Sequence, residues 1–120
     1  MKYLMNEQLR ANLSVGKAVE QWLSPRQHEN YVALRYLTIY KERNGTYSTS
    51  YIECFDDGDE NFIDIGEFSA LHPDEPAVLN TFDAIGEALQ FVLDTYNATM
   101  DKFVAAGMIQ EEYRDYLKSR

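Results

Sequence analysis

Residues 30–55 read NYVALRYLTIYKERNGTYSTSYIECF, and they carry the clearest strand and turn signals in the chain. Aromatic and β-branched residues dominate residues 30–43 and 46–55, which predicts two strands because such side chains pack well on a pleated sheet. Asn44 and Gly45 lie between the two runs, and both residue types tolerate the positive φ that a two-residue hairpin turn requires. The sequence therefore predicts an antiparallel hairpin closed by Asn44-Gly45.

A two-residue turn would pair Arg43 with Thr46, and this register would then place Tyr36 opposite Glu53 along the strands. One face of the hairpin would be aromatic, and the other, which carries Cys54, would suit a packed helix. Tyrosine supplies a large amphipathic contact area at protein interfaces. The candidate partner-binding tyrosines are Tyr36, Tyr40, Tyr47 and Tyr51, and a half-exposed layer of the core is the alternative interpretation.

Hydrophobic periodicity predicts the remaining elements. Residues 4–23 are expected to form a helix that Pro25 stops, and residues 81–105 a second long helix that Gly107 ends. A short last helix carries Tyr113 and Leu117. Residues 61–68 are predicted as a third strand and residues 77–79 as a short fourth. We therefore expect a single α+β domain over residues 1–120: an antiparallel sheet of three or four strands, with an N-terminal helix and two C-terminal helices packed on one face.

Composition narrows the class of protein. The chain has 120 residues, 45% of them apolar, and a core of that size needs no cofactor or metal merely to fold. Cys54 is the only cysteine, so no intrachain disulfide can form, and a reducing, cytoplasmic location is expected. We expect no signal peptide, because polar residues interrupt the N-terminal apolar run, and no membrane association.

Charge is distributed very unevenly along the chain. The net charge is −9, yet residues 45–101 contain thirteen acidic residues and no Lys or Arg. Direct nucleic-acid binding is disfavoured, because it depends on basic side chains that neutralise phosphates. An acidic surface of this kind attracts a basic protein partner, or it acts only to keep the protein in solution. The candidate partner-binding acids are Asp57, Asp59, Asp83, Glu87, Asp94 and Asp101, and we expect folding to gather them on one side.

Residues 56–67 resemble an EF-hand calcium loop in their acidic spacing. Gly58 stands where the motif requires an oxygen ligand, and Asn61 replaces the turn glycine, so no metal residues are assigned and no tight calcium site is expected. His28 and His72 lack ligand spacing. Cys54 on an aliphatic sheet face is expected to be an inert core residue, and no set of acid, base and nucleophile can be assembled.

Three functions remain in order of preference. The first is a non-enzymatic interaction protein, a regulator, inhibitor or immunity-type protein, that binds a basic protein; a DNA-mimicking inhibitor is a narrower form of it. The second is a small-ligand or metal-binding module that uses the tyrosine-rich sheet face or the acidic 56–67 loop. An enzyme ranks third, with no catalytic residues and no cofactor assigned, and a homodimer stays open.

Overall fold

A computed structural model describes residues 3–71 and 78–119 of the chain. In this part of the chain the helices are α1 (Asn6–Ser14), α2 (Ile85–Tyr96) and α3 (Ile109–Ser119), and a 3₁₀ turn covers Ile65–Glu67. The strands are β1 (Val19–Gln27), β2 (Val32–Lys41), β3 (Tyr47–Phe55), β4 (Val78–Phe82) and β5 (Val104–Ala105). They form one antiparallel sheet in the order β4-β3-β2-β1-β5. The α+β class is confirmed, with five strands rather than three or four.

The β2–β3 hairpin forms as predicted, but its register differs by one residue. Lys41 pairs with Tyr47, and the Glu42 N–H donates to the Thr46 carbonyl at 2.7 Å. The loop therefore has three residues, 43–45, and its last residue, Gly45, has a φ of +91°. A type I turn followed by a left-handed glycine is the usual form of such loops. The predicted register, which assumed a two-residue loop, is wrong.

The predicted helix over residues 4–23 is wrong beyond Ser14. Gly16 has a φ of +86°, a left-handed conformation that ends the helix, and the chain then enters β1. Burial alternates from Val19 to Leu23, as expected for a strand. Pro25 lies where the pairing of β1 with β2 shifts between Leu23 and Arg26. A bulge accommodates proline inside a strand, since it leaves a residue outside the hydrogen-bonded ladder.

The second helix is shorter than its periodicity predicts. It ends at Tyr96, because Asn97 adopts a left-handed conformation with a φ of 58°. The N–H groups of Asn97 and Ala98 both donate to the Val92 carbonyl, the latter at 3.3 Å, and so satisfy an acceptor at the end of the helix. Phe103 is fully buried without being helical, which explains why it continued the apolar pattern. The predicted third strand over residues 61–68 is also wrong, because this segment folds around the 3₁₀ turn.

Helices cover both faces of the sheet. On one face, here called the α2 face, α1 and α2 pack on residues such as Val19, Leu37 and Ile39. On the opposite face, the α3 face, Ile109 and Tyr113 of α3 pack with Leu34, Tyr36, Cys54, Ile65 and Phe68. The Glu20 carboxylate accepts the N–H of Gly107 at 2.9 Å, which anchors the start of α3 to β1. The prediction that all helices share one face is therefore wrong for α3.

We predict that Gly45→Val destabilises the protein, because a β-branched residue is strained at a φ of +91°. The expected loss is about 1–2 kcal/mol, measured as the free energy of unfolding in urea. Gly86→Ala is the matched control: it lies in α2, has open space around the added Cβ, and should stabilise by up to about 1 kcal/mol. Equal stability of Gly45→Val and the wild type would contradict the three-residue loop.

Candidate functional site

The acidic residues on and around α2 are exposed. Ala88, Leu89 and Val92 of this helix are buried, while Glu87 and Asp94 lie on its exposed side. Asp83 and Asp101 are exposed just before and just after the helix region. Asp94 accepts a hydrogen bond from Gln90 at 2.9 Å, and none of the four carboxylates forms an ion pair with the described residues. These four residues are called the helix acids below.

The acidic turn, residues 56–60, lies on the other side of the sheet, against α3. The Asp57 carboxylate accepts the Ser69 N–H at 2.6 Å, and that of Asp59 accepts the Asn61 N–H at 2.8 Å. Asp56 accepts a hydrogen bond from the hydroxyl of Tyr113 in α3. Asp57 and Asp59 are exposed, but their carboxylates also hold the turn in place. The expected single acidic side is therefore not observed, because the sheet separates this turn from the helix acids.

The acidic 56–67 loop spreads its carboxylates over different partners. Asp64 accepts a hydrogen bond from Gln110 at 3.3 Å, while Asp56, Asp57 and Asp59 are held as described above. Within residues 3–71 and 78–119, no group of three or more His, Cys, Asp or Glu side chains could hold a metal ion. His72 and the acids of Asp74-Glu75 lie outside the described residues.

The four candidate tyrosines do not share a face, because of the one-residue difference in register. Tyr36 pairs with Ile52 and Tyr40 with Ser48, which places both tyrosines on the α3 face. Tyr47 and Tyr51 lie on the α2 face. Tyr36 and Tyr47 are only 7% and 9% exposed and belong to the core. The prediction of one aromatic face is wrong, and Tyr40 and Tyr51 are the half-buried members.

Cys54 lies in the core under α3 and is 3% exposed. Burial and, to a smaller extent, the nearby carboxylates of Asp57 and Asp56 raise the pKa of its thiol to about 12. Burial likewise raises the pKa of the neighbouring Tyr36 hydroxyl to about 12. A thiol reacts as its thiolate, so this environment makes Cys54 a poor nucleophile.

A cavity of about 600 Å³ opens on the α2 face beyond the last turn of α2. Its lining combines three basic residues, Arg26, Arg35 and Lys102, with one acid, Glu53. The ring of Tyr51 stacks on that of Tyr96 with a centroid distance of 4.5 Å, and both tyrosines line the cavity. A cluster of basic side chains in a chain of net charge −9 is unexpected from composition alone.

Two structural features build this cavity. Leu23 pairs with Arg35 and Arg26 pairs with Ala33, so the bulge in β1 adds one extra residue between these two pairs. Because of this extra residue, Arg26 lies on the α2 face together with Leu23. Across the cavity, the Gln21 amide makes two hydrogen bonds of 2.8 Å with the backbone of Thr99. Gln21 is 2% exposed, so this pair fixes the turn after α2 against the sheet.

Sequence reasoning missed the basic residues of this cavity. It assigned residues up to 23 to a helix and took Pro25 as its stop, so Arg26 had no place in the sheet. A proline within a run of strand-forming residues is a signal for a bulge, and bulges redirect side chains. Pro25 is such a signal, and it could have predicted the bulge from the sequence.

Comparison with protein-family models, with curated proteins and with solved structures found no match to this chain. Among the described residues, none of the helices has the length and apolar character needed to span a membrane.

We predict that Gly58→Ala destabilises the acidic turn. An added Cβ would overlap the Phe62 carbonyl, the Phe68 ring and the Tyr113 hydroxyl. Overpacking of this kind typically costs about 1–3 kcal/mol, to be measured by urea unfolding. Gly66→Ala in the same segment is the control, because its Cβ would lie 3.5 Å from Asp64 Oδ1, an ordinary contact. If both variants were as stable as the wild type, the packing of Gly58 under α3 would be contradicted.

We also predict that Cys54 resists thiol reagents in the folded state. Labelling with Ellman's reagent at pH 8 should be more than about a hundredfold slower in native protein than in urea-unfolded protein, since the buried thiol stays protonated. Complete labelling of native protein at the unfolded rate would show that the α3 face opens readily.

Proposed function

We propose that this chain is a non-enzymatic interaction protein, a regulator, inhibitor or immunity-type protein, that binds a basic protein partner through the helix acids, Asp83, Glu87, Asp94 and Asp101. The observation that carries this proposal is that all four carboxylates are exposed and form no ion pair with the described residues. Residues 45–101 contain no Lys or Arg, so no basic neighbour in this segment offsets them.

The helix acids suit this role better than the acidic turn does. Asp57 and Asp59 each accept a backbone N–H and thereby hold the turn, whereas the Glu87 side chain makes no hydrogen bond with the described residues. The buried side of α2 is fixed by Ala88, Leu89 and Val92, so two of the acids, Glu87 and Asp94, project from a rigid element. A rigid acidic surface needs little ordering on binding, which favours association.

The other proposed contacts are half-buried. Tyr40 and Tyr51 keep part of their rings accessible, on opposite faces of the sheet. A homodimer is also a proposal: β4 lies at the edge of the sheet, and its Val78 and Leu79 are 52% and 54% exposed. Exposed apolar residues on an edge strand favour pairing with a second strand.

The test begins with capture of binding proteins from a lysate of the source organism at low and high salt. A captured protein is then purified, and its association and dissociation rates are measured over a range of salt concentrations. Exposed charges act mainly by steering and are screened beyond about 8 Å at physiological salt. We therefore expect association to slow strongly as salt rises, while dissociation changes little.

Charge reversal provides the sharper prediction. Glu87→Lys combined with Asp94→Lys should slow association about tenfold or more at low salt. Both positions are exposed, so the free energy of unfolding should change by no more than about 0.5 kcal/mol. The matched control, Glu7→Lys with Glu29→Lys, makes the same change in net charge at exposed acids outside residues 45–101. An equal loss in the control, or a partner whose association ignores salt, would contradict the proposal.

A further inference from the structure

We propose that the cavity beyond α2 binds a small anionic molecule, whose carboxylate or phosphate group is held by Arg26 and Arg35. This site lies on the sheet and does not depend on the helix acids. The charge of its lining is opposite in sign to the net charge of the molecule as a whole.

The two arginines occupy neighbouring positions on the sheet. Arg35 pairs with Leu23 and Arg26 with Ala33, so the two side chains occupy neighbouring positions on the same face of the sheet. Without the bulge, Arg26 would project to the α3 face, because side chains alternate along a strand. Like charges at neighbouring sheet positions repel each other, and an oxyanion between them removes that repulsion. A planar guanidinium matches carboxylate or phosphate oxygens in pairs.

The guanidinium groups of both arginines have N–H donors that remain available to a ligand. Arg35 Nε donates to the Ser24 carbonyl at 2.8 Å, which orients the group and leaves its terminal nitrogens without hydrogen bonds to the described residues. The Arg26 side chain makes no hydrogen bond or ion pair with the described residues. Glu53 pairs with Arg35 across the strands, but the two form no ion pair.

Most of the charged residues that line the cavity are basic. Lys102 adds a third cation, with its Nζ 4.6 Å from the centroid of the Tyr3 ring. The carboxylate of Glu53 and the C-terminal end of the α2 dipole, worth about half a charge, oppose these three cations. The residues that line the cavity therefore carry a net positive charge. The Tyr51–Tyr96 stack lines one side of the cavity and suits a ligand that carries an aromatic ring next to its charged group.

The test uses phenyl phosphate and benzoate as probes, with benzyl alcohol as the uncharged analogue. Binding is followed by two-dimensional NMR of the backbone amides and the arginine Nε–H groups. We expect saturable binding of both anions, shifts centred on Arg26, Arg35 and Thr99, and no binding of benzyl alcohol. Stronger binding of phenyl phosphate than of benzoate would assign the natural ligand to the phosphates, and the reverse order to the carboxylates.

Substitutions test the role of charge. Arg26→Gln and Arg35→Gln should each weaken binding about tenfold, the usual effect of losing a charge-assisted hydrogen bond. The Arg26 side chain makes no hydrogen bond with the described residues, so Arg26→Gln should fold normally. Its affinity therefore tests the site even if Arg35→Gln unfolds. Glu53→Gln should strengthen binding about threefold by removing the opposing charge, an effect that a merely structural role would not produce.

Arg43→Gln is the matched control, because Arg43 is exposed in the hairpin loop and does not line the cavity. Its affinity for both anions should equal that of the wild type. The proposal is overturned if neither anion binds saturably, if Arg26→Gln binds as tightly as the wild type, or if Arg43→Gln loses as much affinity as Arg26→Gln.

Discussion

The pairing of Lys41 with Tyr47 determines which side chains of the two central strands share a face. Gly45 sets this pairing, because its left-handed conformation closes a loop of three residues rather than two. A shift of one residue would move every side chain of one strand to the other face relative to its partner. Arg35 and Tyr51 would then lie on opposite sides of the sheet. The cavity beyond α2 therefore depends on a backbone conformation some distance away in the hairpin loop.

Sequence patterns predicted the elements that local interactions determine. The β2–β3 hairpin has β-forming strands and a turn signal within one continuous segment, and the last helix has a clear apolar stripe around Tyr113. The elements that depend on distant contacts were predicted wrongly. The apolar spacing of residues 15–23 fits a helix as well as a strand, and the pairing of β1 with β2 and β5 on its two sides selects the strand. Phe103 likewise continues a helical spacing although it packs from an irregular segment.

The candidate surfaces also differ in whether local sequence patterns or distant contacts determine them. Exposure of Glu87 and Asp94 follows from their position opposite the apolar stripe of α2, which periodicity alone reveals. The grouping of tyrosines required the register of the hairpin, and an error of one residue in a loop was enough to make it wrong. The basic cavity required still more. Gln21 and Thr99, which fix one wall of it, are 78 residues apart, and no pattern within a short window joins them.

The fold brings the basic and the acidic segments of the chain together in one sheet. Residues 1–43 have a net charge of +3 and residues 45–101 a net charge of −13. The sheet interleaves these segments: β1 and β2 come from the first, and β3, β4 and α2 from the second. Arg26 and Arg35 therefore lie beside strands and a helix that carry the acids, yet they remain outside any ion pair with the described residues. Asp94 immediately precedes Thr95, and Asp101 immediately precedes Lys102, and both Thr95 and Lys102 line the cavity. The acidic helix surface and the basic cavity therefore adjoin at the end of α2, and salt screens the influence of one on the other.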